Sequence, residues 1–335
     1  MAEEDVAFSA ARANEPGGPV TRLYMDTWAA SYGASFEGAD GPTAPSTAEV
    51  ETHHEVEPES WHPIVAPDGV RAPDVVLLVD GVQRVDGTLS TEEDDGASFP
   101  GLAASFAAGV VRCDLAQGAA ELAGARVARA LFTASPSVED VIAGQVRYAV
   151  HKVEGSGELR KLQASVQAPL TALEVEISGA ARTDGDLLVV DGPLRGRRHL
   201  PRTIGYIKTQ QSQYLPPGLT PVVTSLTTGQ RSPIFKQGTA WGCWSWYLRL
   251  PGGNGAPWSG MVRVECAPDL PVEYAVELAN LSLVTLPRFA STPYKDPRAP
   301  QNLIPIAGLE RRLRGLLGDA RLLHRALTLA TARLA

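Results

Sequence analysis

Val75-Val-Leu-Leu-Val-Asp80-Gly81 and Asp186-Leu-Leu-Val-Val-Asp191-Gly192 decide how this chain is read. Each is an unbroken apolar run of strand length, as expected for a strand buried on both faces, and each ends on an aspartate followed by glycine. Asp-Gly after a strand is common turn chemistry, so one copy would mean little. Two copies, each at the end of a fully apolar run, point to a site built from paired carboxylates.

The segments between and beyond them fill in an α/β domain. Val75–Asp80 is expected to continue through Val85, and Ala104–Cys113 and Arg126–Phe132 follow as strands of an antiparallel meander. Ser137-Val-Glu-Asp140 has the pattern of a capping box, predicting a helix toward Lys152 that is interrupted at Gly155. A second helix is predicted over Glu158–Arg182, bent at Pro169. Leu187–Asp191 then returns as a parallel neighbour of the first run, which puts Asp80 and Asp191 at one edge of a mixed sheet. Trp241–Leu250 and Gly260–Cys266 read as a hairpin, and helices are predicted over Pro271–Leu283, Pro305–Leu317 and Asp319–Leu334.

Charge divides the chain. Residues 1–100 hold 20 Asp/Glu and 4 Lys/Arg, a balance of −16; the remaining residues hold 18 and 26, a balance of +8. Gly192–Leu250 contains eight Lys/Arg and no acid. Such asymmetry points to a polyanion partner. Residues 1–70, acidic and rich in Pro and Gly, read as a partly ordered arm preceding a domain over 71–335. Within the arm, Thr21–Ser31 is an amphipathic candidate carrying Tyr24 and Trp28, and Trp61 follows. His53, His54 and His62 lack compact ligand spacing and read as solvated loop histidines.

Cys113, Cys243 and Cys266 are scattered, as expected of buried thiols in a reducing, cytoplasmic compartment. No apolar run reaches the ~18 residues of a membrane span, and the N-terminus lacks a signal peptide's basic region. No phosphate-binding loop is present, so the chain is not expected to hydrolyse ATP.

Two carboxylates at adjacent strand ends repel each other unless a divalent cation lies between them. Glu174 and Glu176, on the helix before Asp191, are the candidates for a third ligand, with Glu174 slightly favoured. Arg195, Arg197, Arg198 and Arg202 follow Asp191 closely and are candidate phosphate contacts. Lys208, in an apolar patch, is expected either nearer the chemistry than the arginines or solvated at a strand or helix end.

With these residues in view, the chain resembles the NurA nucleases, partners of the HerA hexameric ATPase. The resemblance covers residues 70–335. It rests on Asp80-Gly-Val-Gln-Arg84, Val189-Val-Asp191-Gly-Pro-Leu194, Gly205-Tyr-Ile-Lys208, Arg263-Val-Glu265 and Ala299-Pro-Gln-Asn-Leu-Ile-Pro-Ile-Ala-Gly-Leu-Glu310. It implies an RNase H-like core with flanking helices and a C-terminal helical segment. It further implies a manganese- or magnesium-dependent 5′–3′ exonuclease and single-strand endonuclease, a homodimer docked on its ATPase in DNA end resection and break repair. The metal-binding aspartates of the family fall on Asp80 and Asp191, its glutamate on Glu174 or Glu176, and Arg84 beside the first motif joins the DNA contacts. The family's late histidine is missing, and Asn302 is its nearest substitute. The competing expectation is a non-catalytic DNA-binding adaptor that loads an ATPase.

Overall fold

Three long strands form the middle of the fold: β1 (Val75–Glu92), β2 (Ser98–Asp114) and β3 (Ala119–Thr133). They pair antiparallel in order, as the expected meander requires. The computed structural model describes residues 44–45, 48–93, 95–155, 157–194, 196–209, 212–238, 242–253 and 257–332. β1 does not end at Asp80-Gly81. Val82, Val85, Thr88 and Thr91 keep supplying β-branched residues, and the strand runs on through a bulge between Val85 and Gly87.

The helix expected after Ser137 is absent. Val141–Ala143 and β4 (Val146–Lys152) form a hairpin instead, turned at Gly144 with φ 65°. β-branched Val141, Ile142, Val146 and Val150 outweigh the capping pattern. Asp140 accepts from Val150 N at 2.8 Å and from Arg147 Nε at 2.5 Å, so it serves the hairpin and not a helix start. The next helix is split into α1 (Leu159–Ser165) and α2 (Gln167–Ala181), three residues before Pro169, whose missing N–H breaks the ladder where expected.

β5 (Leu187–Asp191) pairs parallel with β1, in the register Val76↔Leu187 to Val79↔Val190. β6 (Thr203–Ile207) pairs parallel with β5. β7 (Phe235–Gly238), β8 (Cys243–Arg249) and β9 (Met261–Cys266) extend the sheet antiparallel, with β9 on β6; β8 and β9 are the expected hairpin. Helices α3 (Val272–Thr285), α4 (Ile304–Leu316) and α5 (Ala320–Thr331) complete the described chain. Asp319 caps α5, accepting from Arg321 N and Leu322 N. Among the described residues, the large sheet has 13 strands.

Strand parity assigns the faces. Val76, Leu78 and Val82 of β1, with Leu187 and Val189 of β5, pack against Leu278 of α3 and Leu309 and Leu313 of α4. Leu77, Val79, Leu188 and Val190 point the other way, onto Leu170, Leu173 and Ile177 of α2. Each such side chain, removed from water, contributes about 1.5–3 kcal/mol. The structure is thus α/β, a large mixed sheet flanked by helices.

Part of the acidic arm belongs to this body. Glu49–Glu51 pairs with β7, Trp61 is buried, and Glu55 makes a two-pronged ion pair with the buried Arg231. Tyr24, Trp28 and the Thr21–Ser31 segment lie outside the described residues. The three cysteines are buried free thiols. Among the described residues, no helix is long and apolar enough to cross a membrane.

Candidate metal centre

Because Val79 is level with Val190, Asp80 and Asp191 follow side by side on adjacent parallel strands. Parity turns both toward the face covered by α4. There Glu310, flanked on its helix by the fully buried Ile306 and Leu313, reaches the same point. One carboxylate oxygen from each of Asp80, Asp191 and Glu310 lies within 4.8 Å of the other two. Glu310 was not among the expected ligands. Its signals in the sequence were that it closes the Ala299–Glu310 motif and borders an apolar helix stripe.

Electrostatics at this trio are strained in the direction a cation relieves. Burial, then the negative charge of Asp191, raises the Asp80 carboxyl well above the ordinary range; Glu310 adds to this, while Lys208 and the Gly81 N–H oppose it. The Asp191 carboxyl is also raised by burial, against the pull of Lys208. Hard oxygen donors, clustered and short of positive charge, fit a divalent cation such as Mg²⁺ or Mn²⁺.

Lys208 stands beside the trio, the first of its two expected positions. Its Nζ donates to Asp191 Oδ2 at 2.5 Å and to Asn302 Oδ1 at 2.8 Å. Asn302 Nδ2 in turn donates to Asp296 Oδ2 at 2.6 Å. Arg298 closes the network, bonding Asp296 and gripping Glu310 with two donors at 3.0 and 2.7 Å. Ammonium and guanidinium groups therefore hold two of the three carboxylates in place. Asp191 and Glu310 of the trio line a cleft of about 1280 Å³, together with Lys208, Arg198, Tyr214, Arg263 and Glu265, while Asp80 is buried behind them.

Several expected residues sit elsewhere. Glu174 is on α2, across the sheet from the trio, where it forms a buried ion pair with Arg197. Both lose their assigned roles in this arrangement: Glu174 is committed to a guanidinium, and Arg197, 4% exposed, cannot meet a phosphate at the surface. Glu176 is exposed and paired with Arg126, far too solvated to share the trio. Arg84 is no DNA contact either, since it donates to the Gly318 and Leu317 carbonyls at the end of α4 and to buried Asp86. Asn302 is fully buried, so it acts on Lys208 and cannot touch DNA. Arg202 lines a second cavity of about 480 Å³ with Arg71, Glu273 and Glu277. Of the basic stretch, Arg198 alone among the described arginines lines the cleft with Lys208; Arg195 lies outside the described residues.

Gly81 also has a function other than the expected turn. It lies within β1, and a Cβ there would collide with Glu174 Oε1 and come within 2.7 Å of Leu170 Cδ1. The glycine lets α2 close on the sheet. No family model matches the chain, and no curated protein matches it.

Proposed function

We propose that this protein is a metal-dependent DNA nuclease built on an RNase H-like core, of the kind found in the NurA nucleases. The observation that carries the reading is the convergence of Asp80, Asp191 and Glu310, from two parallel strands and a distant helix, on one point, with Asp191 and Glu310 lining a large cleft. The strand order β3-β2-β1-β5-β6, three antiparallel and two parallel, supports the fold assignment.

Asp80, Asp191 and Glu310 would hold a divalent cation, manganese or magnesium, which would supply Lewis acidity and charge stabilisation for phosphodiester hydrolysis. The chain's own groups do the rest. Lys208 and Arg198 present positive charge in the cleft, suited to a phosphate backbone and indifferent to base sequence. Asn302 and Asp296 fix where the Lys208 ammonium points, and Arg298 orients Glu310. Exonuclease and single-strand endonuclease activity in end resection, a homodimeric state and a HerA-type hexameric ATPase as motor belong to the same proposal. The motor is needed because opening duplex costs ~1.4 kcal/mol per base-pair step and the chain has no nucleotide-binding loop to drive it.

The test is cleavage of labelled single-stranded and frayed DNA in Mn²⁺, Mg²⁺ and EDTA by wild type, Asp80→Asn, Asp191→Asn and Glu310→Gln. Cutting should require the metal and be lost in all three variants. Undiminished cutting by any of them would remove that carboxylate from the site, and DNA binding without cutting by wild type would favour the adaptor.

A further inference from the structure

Glu51, His53 and His54 stand apart from the nuclease cleft and read differently in three dimensions than in sequence. Glu51 ends the strand paired with β7, opposite Lys236. Thr52 turns inward and is buried, its carbonyl accepting from Trp61 Nε1 at 2.9 Å. Glu51 and His53 are left on the outside, and the chain then bends so that His54 Nε2 comes 2.7 Å from Glu51 Oε2. One ligand atom from each of the three lies within 4.8 Å of the others.

The group is anchored through the His54 ring and through the chain on either side of it. The His54 ring meets Trp244 edge-on at 4.7 Å and His53 face-on at 4.5 Å between centroids. The strand pairing fixes the chain before it, and the Glu55–Arg231 ion pair fixes the chain one residue after. Residues 49–59 carry five glutamates and no Lys or Arg, so the local field favours a cation; Lys236, over the Trp244 ring, and Arg231, paired with Glu55, are the opposing charges. His62, by contrast, is bonded to the Ser60 carbonyl and takes no part.

We propose that Glu51, His53 and His54 form a second metal site, selective for zinc or a similar borderline transition ion. Two imidazoles and one carboxylate are a zinc donor set, with a fourth position left for water. The all-oxygen trio of Asp80, Asp191 and Glu310 suits harder ions, so the two sites divide metals by ligand chemistry. The inference does not depend on the nuclease reading.

The experiment uses the full, tag-free chain carrying Asp191→Asn, so that the oxygen site is disabled. Zinc is titrated by calorimetry, and nitrogen-labelled histidine spectra report which rings respond. One equivalent should bind and shift two histidine signals. Adding His53→Gln and His54→Gln together should abolish that equivalent. Glu51→Gln alone should weaken it at least about tenfold, since even outer partners of ligands are worth 10–100-fold. Zinc affinity unchanged by these substitutions, or binding that shifts neither ring, would overturn the site.

Discussion

Asp80→Asn should make the metal-free protein more stable, although it destroys the site. Asp80 faces Asp191 and Glu310 within 4.8 Å. At an effective dielectric of about 20, each repulsion at that distance is worth about 3.5 kcal/mol. Lys208, bonded to Asp191, offsets about one of the two. Water and small rotations take up part of the remainder, leaving a net gain of about 1–3 kcal/mol for the neutral amide. Asn keeps the shape and can still accept from Gly81 N, which is 2.7 Å from Asp80 Oδ1. At about 2 °C per kcal/mol for a chain of this size, Tm in EDTA should rise by about 2–6 °C. The sign follows from the raised carboxyl of Asp80. A group protonated more readily folded than unfolded contributes stability below its unfolded value, near 3.9, and loses it as pH rises through the folded one. The advantage of the variant should therefore vanish toward pH ~4 and grow as pH rises from there until the folded Asp80 is ionised. Mn²⁺ at a hundredfold excess over Kd should add about 2.7 kcal/mol to wild type and little to the variant, reversing their order. Thermal unfolding by scanning fluorimetry reads both conditions. A variant less stable than wild type in EDTA, or one stabilised equally by Mn²⁺, would refute the reasoning.

Glu310→Gln should abolish metal-dependent cutting, whereas Glu176→Gln should leave the rate within twofold; parallel single-turnover assays compare them. Arg84→Ala should cost about 2–4 kcal/mol in denaturant unfolding, because buried Asp86 and the α4 carbonyls lose their donor, while DNA affinity stays unchanged. Arg198→Ala should lower the slope of log K against log[salt] by roughly 0.7–0.9 for unrelated DNA sequences, as measured by fluorescence anisotropy. Arg197→Ala should destabilise by about 3–5 kcal/mol, since Glu174 would be left buried and unpaired.

The two aspartate-ended runs told most of what mattered: two buried strands, parallel and adjacent, with their carboxylates level. The shared sheet edge of Asp80 and Asp191 was also legible, though not which face they turn to. What local sequence does not carry is which helix covers that face. Glu174 was attractive because α2 immediately precedes β5, but α2 lies on the side reached by Leu77 and Val79. The helix on the correct side begins more than a hundred residues after Asp191, and Glu310, though it closes the last motif, sits too far along the chain for local sequence to pair it with the aspartates. The basic stretch misled in a similar way: Arg197 and Arg198 are neighbours, yet one is buried on Glu174 and the other lines the cleft. The hairpin at Val141–Lys152 shows local propensity overriding a capping pattern, a contest that four residues of Ser-Val-Glu-Asp cannot decide alone.

Gly109 sits directly opposite Asp80 on β2, beneath the helix that carries Glu310. A Cβ there would come 2.9 Å from Leu309 Cδ1 and 3.0 Å from Leu313 Cδ2, both side chains fully buried with little room to turn aside. The missing methyl is therefore a spacer of zero thickness between strand and helix. It lets α4 close on the strand facing Asp80, and at the proposed metal site that close approach would bear on how far Glu310 stands from the two aspartates. Mg²⁺ takes oxygens at 2.0–2.1 Å and Ca²⁺ at 2.3–2.6 Å, a difference of a few tenths of an ångström. That is the scale on which one added carbon would lift the helix. Gly109→Ala would therefore test, without altering a single donor atom, whether the closeness of strand and helix bears on which ion the proposed site prefers.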